Sequence, residues 1–534
     1  MLSSSLPRPD TAAFASAASR LARGTRVDVA IGLGFALLTA ALLLPRYGAF
    51  PMELWDESRN ANNAIEMAAN GNWLVTFFNG VPEHWNTKPP LLIWAVAALL
   101  RSGLPPLLAL RLPPALATMA IVVALFGFCR LVLHDRLAGI FAGLLVLSST
   151  LFLGPHVART GDYDALLSLF VLIHVVAFGR YADPTEPFRH QWLATWGVAL
   201  TLAVFTKGIA GVLVAPGVVA FVVLRRRLLS VLRDLWFWVA ALVVVLVCGG
   251  YYVGRELADP GYLWSVWQFE LGGRYLTTLA NLDGGPLYYP TVLFGLFEPG
   301  FILVPLALLT LLRNASARRE TVLLCLLAAG LMLLAITSAA TKAFWYAAPL
   351  VPLLSLAVGI GLADAAAWLN AERVRQRVAI RPAVVHITLC AVIVASLVAG
   401  LYRQHVTFIE WAERPVHGQY WYGAFLDQLR ADGLPAKLLI VDGGAANDAD
   451  LINYRPIADF YRKVAANDGE RIDIVAPGGK IAPGAWVLTC DPNVRAELQA
   501  DPAFKTFRSD PRCVFGQQIM SSAGPVGAKP PTKG

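Results

Sequence analysis

Long apolar runs, separated by short polar or basic stretches, dominate the chain between residues 28 and 402. The runs at 235–253 and 383–401 contain no Asp, Glu, Lys or Arg, and each is long enough to cross hydrocarbon, which takes roughly twenty apolar residues in a helix. About eleven crossings follow from this pattern, with spans at 28–46, 112–133, 137–155, 164–180, 192–206, 208–224, 235–253, 287–312, 321–339, 343–363 and 383–402. The pattern therefore predicts a polytopic α-helical membrane protein with about 11–13 transmembrane helices.

Composition and charge place this protein in the membrane rather than on nucleic acid. Of its 534 residues, 57% are hydrophobic and 15% are charged, and the mean hydropathy is +0.57. The net charge of +8 is concentrated in short loops between spans, at 225–233, 313–319 and 373–381. Loops of this kind mark the cytoplasmic side. The basic tail 1–27 lacks the pattern of a removed signal peptide, so we expect it to be cytoplasmic and the first span to remain as an anchor.

The topology derived from these charges brings distant polar segments to one face. The number of crossings agrees with these charges only if the segment 90–100 does not cross the membrane. Because this segment is short and precedes Pro105-Pro106, we expect an interfacial or re-entrant helix there. The outer face then carries the loop 47–111, the turn 156–164, Lys207, the segment 254–286, Lys342 and the tail after 403. We expect the polar residues of these segments to converge.

The chain changes character after residue 403. Short runs with strand or helix patterns follow, the strand candidates at 437–442, 472–475 and 485–490 and the helix candidates at 451–464 and 492–498. These predict a small α/β domain on the outer side over 403–520, with a disordered tail over 521–534. An oxidising outer compartment would allow Cys490 and Cys513 to form a disulfide. Two unpaired thiols are the alternative, and the spacing of the cysteines does not decide between the two.

The triplet Trp55-Asp56-Glu57 opens the first outer loop and is the first candidate for chemistry. Acids beside a bilayer are costly and rarely placed there without a task. The simpler interpretation is a pair of solvated carboxylates at a helix start, where negative charge is favoured. The functional interpretation is that a carboxylate base activates an acceptor hydroxyl.

A second acidic cluster, Arg159-Thr-Gly-Asp162-Tyr-Asp164, directly precedes an apolar run. Either acid can cap the helix that follows. Two acids exceed what a cap needs, and a second carboxylate facing the first can orient a base or hold a divalent metal ion. No cofactor follows with certainty from this pattern.

Four cations lie at outer span ends or in outer loops: Lys88, Lys207, Arg274 and Lys342. A single lysine at an interface commonly snorkels towards water. Basic residues are normally enriched in the cytoplasmic loops, so four cations on the opposite face are an exception to this bias. Together they suit a phosphate-bearing lipid headgroup.

The order of these elements resembles a known family. Its members carry, in the same order and spacing, counterparts of Trp55-Asp-Glu-Ser-Arg59, Lys88-Pro89, the Asp164-Ala-Leu-Leu start of a span, Phe205-Thr-Lys-Gly208 and the run from Lys342 through Tyr346 to Pro349. The ordered set resembles the bacterial C-type membrane glycosyltransferases (GT-C fold) related to lipid A aminoarabinose transferases and protein O-mannosyltransferases. The resemblance covers about residues 28–365, and the later domain resembles the family only in position.

This resemblance implies transfer of a sugar from a polyprenyl-phosphate donor, with inversion, to a lipid, glycan or protein acceptor on the periplasmic face of the bacterial inner membrane. The C-terminal domain is then periplasmic. By family position, Asp56 is the catalytic acid of the first loop with Glu57 beside it, and Asp164 is the aspartate of the second loop with Asp162 in reserve. The positions near the donor phosphate are Lys88, Arg274 and Lys342, and Lys207 matches a position without an assigned role.

Two positions depart from the aminoarabinose transferases, which commonly have Glu where this chain has Thr87 and His where it has Leu271. The departures leave the metal and the sugar open. A flippase or transporter of lipid-linked sugars is the alternative function, but it predicts paired repeats and charges near the middle of the bilayer. A non-catalytic scaffold gives no reason for clustered outer acids and cations.

Overall fold

A computed structural model describes residues 11–45, 51–278, 282–313, 316–369, 371, 418–433, 435–444 and 454–519, with isolated positions between 384 and 406. Seven of its described helices are long and apolar enough to cross a membrane. They are Thr25–Leu43, Pro106–Leu131, Asp164–Tyr181, Arg189–Val212, Leu235–Ala258, Ala317–Ser338 and Leu350–Leu369. Each falls on a span predicted from the sequence, and the protein is therefore a multi-pass membrane protein.

Three further predicted spans are helical in pieces. The stretch 137–155 folds as Arg136–Ser148 and Thr150–Leu153, 208–224 as a 3-10 turn and Ala215–Leu224, and 287–312 as Tyr288–Leu296 and Val304–Thr310. The last break contains Pro299, which lacks the N–H that a continuous helix needs. The predicted span at 383–402 lies mostly outside the described residues.

The first loop folds as an ordered layer beside the spans. The helix Asp56–Asn70 is followed by the hairpin strands β1 (Phe77–Phe78) and β2 (Val81–Pro82) and by the helix Leu91–Arg101. With 11 residues, this last helix is only about 16 Å long and too short to cross. This agrees with the prediction that 90–100 does not cross.

Close helix packing fixes the centre of the membrane part. In an 18-residue stretch of the span Leu350–Leu369, 89% of the residues are buried, whereas the corresponding share in Leu235–Ala258 is 11%. Gly359 and Gly361 make this central packing possible, because a Cβ at either position would lie 2.7 Å from backbone atoms of Ala138 and Ala307. The central span thus supports the helix Arg136–Ser148, which leads to the second loop, and the helix Val304–Thr310.

The C-terminal part contains a five-stranded mixed sheet. Its strands are β3 (Lys437–Val441), β4 (Arg471–Val475), β5 (Trp486–Thr489), β6 (Phe504–Ser509) and β7 (Val514–Gln518), and its helices are Tyr422–Asp432, Pro456–Asn467 and Pro492–Ala500. β3 pairs in parallel with β4 and β5, and β7 pairs antiparallel with β5 and β6. An α/β fold is therefore confirmed.

Within this domain the predicted strands β3, β4 and β5 and the helix at 492–498 are present. The helix expected at 451–464 begins at Pro456, a residue that suits a first helical turn. The strands β6 and β7 were not predicted. Cys490 and Cys513 form a disulfide between the end of β5 and the start of β7. The predicted disordered tail 521–534 and all but one position of the segment 403–417 lie outside the described residues.

The C-terminal domain packs on the first loop. Lys463 Nζ contacts Asn62 Oδ1 at 2.5 Å and Glu66 Oε1 at 2.6 Å, and Asn62 Nδ2 donates to the Pro456 carbonyl at 2.7 Å. The rings of Trp55 and Tyr454 stack with centroids 5.4 Å apart. The helix Asp56–Asn70 thus lies between the membrane part and the C-terminal domain.

Candidate active site

The first turn of the first-loop helix directs the side chain of Asp56 into the site and that of Glu57 away from it. Asp56 is the first residue of Asp56–Asn70 and is partly exposed. Successive residues of a helix point about 100° apart, and Glu57 faces inward with no exposed surface. Only Asp56 of the Trp-Asp-Glu triplet therefore offers a carboxylate to the site.

The second loop brings two more groups to Asp56. Ligand atoms of Asp56, His156 and Asp162 all lie within 4.8 Å of one another. The imidazole of His156 stacks on Trp345 with ring centroids 3.9 Å apart. Thr160 Oγ1 accepts from the His156 backbone N–H at 2.7 Å and donates to Asp162 Oδ2 at 2.5 Å. The loop therefore holds an imidazole and a carboxylate against the first-loop acid.

The two carboxyls of this cluster have opposite pKa shifts. Burial opposes ionisation of Asp56, but the charges of Lys88, His156 and Arg274 outweigh it and hold its pKa below the ordinary value. Burial and the charge of Asp56 raise the pKa of Asp162 well above its ordinary value. The surrounding charges thus favour ionisation of Asp56, whereas burial and the neighbouring charge of Asp56 oppose ionisation of Asp162.

A cavity of about 300 Å³ lies beside this cluster. Its polar end is lined by Lys88, Asp164, Lys207, Glu270, Arg274, Thr341 and Tyr346, and its apolar part by Leu167, Ile209, Leu213, Met332 and Ile336. A polar head that continues into an apolar groove matches an amphipathic ligand with a charged group and a hydrocarbon tail.

The cavity carries three cations against two acids. Lys207 Nζ binds both carboxylate oxygens of Asp164, at 2.7 and 2.6 Å. Lys88 Nζ lies 3.4 Å from Glu270 Oε1, and Arg274 Nε lies 3.7 Å from Glu270 Oε2. Burial opposes ionisation of Glu270, but Lys88 and Arg274 hold its pKa below the ordinary value. Because Lys88 and Arg274 share one carboxylate, the cavity has one positive charge in excess.

The residues predicted from the sequence divide into two groups in the structure. Asp56 and Asp162 face each other, and Asp164, Lys207, Lys88 and Arg274 line the cavity. Asp164 is paired with Lys207, so Asp162, the reserve residue, is the second-loop acid beside Asp56.

Two predicted residues lie elsewhere. Glu57 is buried and paired with Arg111, whose Nε lies 2.7 Å from its carboxylate. Lys342 Nζ donates to the Ala339 carbonyl at 2.5 Å, and its neighbour Thr341 is the residue that lines the cavity. In the part of the chain that the structure describes, neither side chain lines the cavity or belongs to the Asp56–His156–Asp162 cluster.

Sequence reasoning did not assign a role to His156 or Glu270. His156 occurs in the turn 156–164, six residues before Asp162, and a histidine so close to two acids was an available signal. Glu270 stands four residues before Arg274, the spacing that puts both on one helix face.

Comparisons with known proteins agree with this fold. A family model described as dolichyl-phosphate-mannose-protein mannosyltransferase matches residues 87–251. The structure aligns over 94% of the chain with the ArnT from Cupriavidus metallidurans bound to undecaprenyl phosphate, covering 99% of it, with a TM-score of 0.62 and 16% identity. It also aligns over 89% of its length with 70% of the Archaeoglobus fulgidus oligosaccharyltransferase AglB, solved with an inhibitory peptide and a dolichol-phosphate, with a TM-score of 0.51 and 13% identity. The fold is that of the C-type membrane glycosyltransferases, and the predicted resemblance to this class is confirmed.

Particular relatives are similar over part of their length. The chain is 28% identical over 269 residues to an undecaprenyl phosphate-alpha-4-amino-4-deoxy-L-arabinose arabinosyl transferase of Shewanella sediminis, a match covering 48% of this chain and 46% of the relative. It is 25% identical over 250 residues to a protein of the same description from Pseudomonas savastanoi, covering 46% and 45%. The chain thus spans less than half the length of these curated relatives.

Proposed function

We propose that this protein transfers a sugar from a polyprenyl-phosphate donor to a lipid, glycan or protein acceptor, with inversion, on the periplasmic face of the bacterial inner membrane. One observation carries the proposal: a cavity with excess positive charge and an apolar groove lies beside the Asp56–Asp162–His156 cluster. A polyprenyl phosphate has the matching parts, an anionic head and a hydrocarbon tail.

Lys88 and Arg274 bind the donor phosphate in this proposal. They share Glu270 and are therefore incompletely neutralised, and cations fixed in a largely buried site stabilise the charge that develops on a leaving phosphate. The ammonium of Lys207 is balanced by Asp164, so this pair shapes the polar end of the cavity. Lys342 is left outside the phosphate site because its ammonium binds a backbone carbonyl.

Asp56 orients the acceptor on the opposite side of the anomeric carbon. The acceptor oxygen forms the new bond to that carbon as the bond to the phosphate oxygen breaks, and a single displacement of this kind inverts the carbon. The acceptor proton passes to Asp56 where the acceptor is a hydroxyl, and no base is needed where it is a phosphate. Because the pKa of Asp56 is held below its ordinary value, it is a weak base that stays ionised and accepts a hydrogen bond from the acceptor, which favours orientation as its main role.

The same cluster fits a divalent cation. Two carboxylates and an imidazole form a donor set that suits Mn²⁺ or Zn²⁺, and His156 Nδ1 is buried without a hydrogen-bond partner among the described residues. Asp56, His156 and Asp162 would hold such an ion. A bound cation would supply positive charge beside the reacting oxygens.

The placement on the periplasmic face has two supports. The charge bias of the loops puts the first loop opposite the basic cytoplasmic loops. The disulfide between Cys490 and Cys513 is of the kind that persists in an oxidising compartment, and its domain packs on the first loop.

The test supplies purified protein in lipid nanodiscs with a panel of undecaprenyl-phosphate sugars, lipid A and peptide acceptors, and follows transfer by mass spectrometry. We expect Asp56→Asn and Asp162→Asn each to lower kcat by about 100-fold or more. Asp459→Asn on the C-terminal domain, which removes a carboxylate outside the cluster, serves as the matched control and keeps wild-type turnover.

Full transfer by both site variants would refute the assignment. Movement of the donor across the bilayer without any transfer would refute the reaction and favour the flippase.

A further inference from the structure

The backbone N–H and carbonyl of one glycine in the second loop both form hydrogen bonds with side chains of the first-loop helix. Glu57 Oε1 accepts from the Gly161 N–H at 2.8 Å. Asn60 Nδ2 donates to the Gly161 carbonyl at 2.9 Å. Gly161 directly precedes Asp162. The helix that begins at Asp56 therefore also holds, by hydrogen bonds, the backbone next to the acid that faces Asp56.

The grip is possible only because residue 161 has no side chain. A Cβ at this position would lie 2.4 Å from Leu110 Cγ and 3.1 Å from the Leu110 carbonyl. Contacts under 3 Å force a neighbour to shift, and a packed interior resists such shifts. Gly161 is therefore required for the loop to approach the helix closely.

Both gripping residues are anchored in turn. Glu57 accepts from Arg111 Nε at 2.7 Å, from Arg111 Nη2 at 3.0 Å and from the Glu53 N–H at 2.9 Å. Asn60 Oδ1 accepts from Asn86 Nδ2 and from the Tyr163 hydroxyl, both at 2.9 Å. Arg111 belongs to the span Pro106–Leu131, so the clamp is fixed to the membrane part.

We propose that Glu57 and Asn60 are positioning residues that clamp the backbone of Gly161 and thereby set the separation between Asp56 and the second-loop pair of Asp162 and His156. This inference rests on the proposed function and assigns Glu57 a task other than contact with substrate. A displacement of about 1 Å at reacting groups costs about 100-fold in rate. The clamp therefore controls kcat and leaves the donor cavity, which it does not line, unchanged.

The experiment compares Asn60→Ala with Asn63→Ala on the same helix. Both side chains are buried and both bind Asn86, but Asn63 Nδ2 donates to the Phe77 carbonyl instead of Gly161. Asn60→Ala is expected to lower kcat about 100-fold and to speed amide exchange in the 156–164 peptide about tenfold. Asn63→Ala keeps kcat and that exchange near wild type, and in both variants the Kd for undecaprenyl phosphate stays within about threefold of wild type.

A second pair of variants tests the close approach itself. Gly161→Ala is expected to lower kcat about as much as Asn60→Ala. Adding Leu110→Ala makes room for the new methyl group and recovers at least about a third of the wild-type kcat, a rescue that a general loss of folding would not show.

The outcomes separate the inference from the function. Wild-type kcat in Asn60→Ala and Gly161→Ala, or an equal loss in Asn63→Ala, overturns the clamp. Wild-type protein that binds undecaprenyl phosphate but transfers none of the sugars overturns the proposed function instead. In that case amide exchange at 156–164 still decides whether the clamp exists.

Discussion

Lys88→Met gives the sharpest test of the donor site. Lys88 is 5% exposed, and its ammonium lies 3.4 Å from Glu270 Oε1 and 5.5 Å from the centroid of the Tyr163 ring. Replacing it with Met keeps most of the volume and removes the charge, which takes the cavity from one excess positive charge to none. A hydrogen bond to a charged group contributes about 1.5–3 kcal/mol, so we expect the Kd for undecaprenyl phosphate to rise about 10- to 150-fold.

Binding is measured on nanodisc-embedded protein by fluorescence quenching with undecaprenyl phosphate, at low and at physiological salt. Lys342→Met is the matched control, because it removes a buried lysine whose ammonium binds the Ala339 carbonyl. We expect its Kd to stay within about threefold of wild type. The two variants therefore separate a cavity lysine from a nearby lysine of equal burial.

The reasoning is refuted if Lys88→Met binds undecaprenyl phosphate as tightly as wild type. It is equally refuted if Lys342→Met loses as much affinity as Lys88→Met, since the family position of Lys342 would then outweigh its observed contact. Thermal unfolding of each variant shows whether a loss of affinity comes from the site or from the fold.

Three other predictions concern pH, metal and the disulfide. Burial raises the pKa of Glu53 from 4.5 to about 7, so folding penalises its ionised form, and stability is lost as pH rises from about 4.5 to 7, by roughly 3 kcal/mol. Glu53→Gln should therefore unfold at a higher temperature than wild type at pH 8 and at the same temperature at pH 4; an equal gain at both pH values would contradict this. After chelation, His156→Ala should need about tenfold more Mn²⁺ than wild type to recover transfer, and identical Mn²⁺ titrations would exclude His156 as a ligand. The Cys490–Cys513 bond spans 23 residues, so Cys513→Ser should destabilise the C-terminal domain by about 3 kcal/mol, measured as a lower denaturant midpoint. Reducing agent should lower the midpoint of wild type in the same way and should leave the midpoint of the variant unchanged.

Several features of this protein were predictable because their causes are local. An uncharged apolar run is driven into hydrocarbon by its own composition, and the seven long spans fall where the sequence places them. The helix at 90–100 was recognised as too short to cross for the same reason. The strands of the sheet with regular apolar patterns, β3, β4 and β5, were recognised, whereas β6 (Phe504–Ser509) carries Lys505, Thr506 and Arg508 and gave little signal.

The sequence identifies the acids and cations of the site as candidates, but the role of each one depends on the direction in which its side chain points. Successive residues of a helix or a loop point different ways, so Asp56 faces the cluster while Glu57 turns to Arg111. By the same rule Thr341 lines the cavity while Lys342 does not. Sequence position alone cannot resolve neighbours of this kind.

The sequence by itself determined the class of molecule and the segments that carry the chemistry: apolar spans, short basic loops, and polar segments that contain the acids and cations. Only the tertiary structure decided that Asp162 rather than Asp164 faces Asp56, that His156 joins them, and that Asp164 neutralises Lys207. The physical reason is that membrane insertion depends on the composition of each segment. The partners of a buried charge instead depend on contacts between segments about 100 residues apart, such as the grip of Glu57 on Gly161.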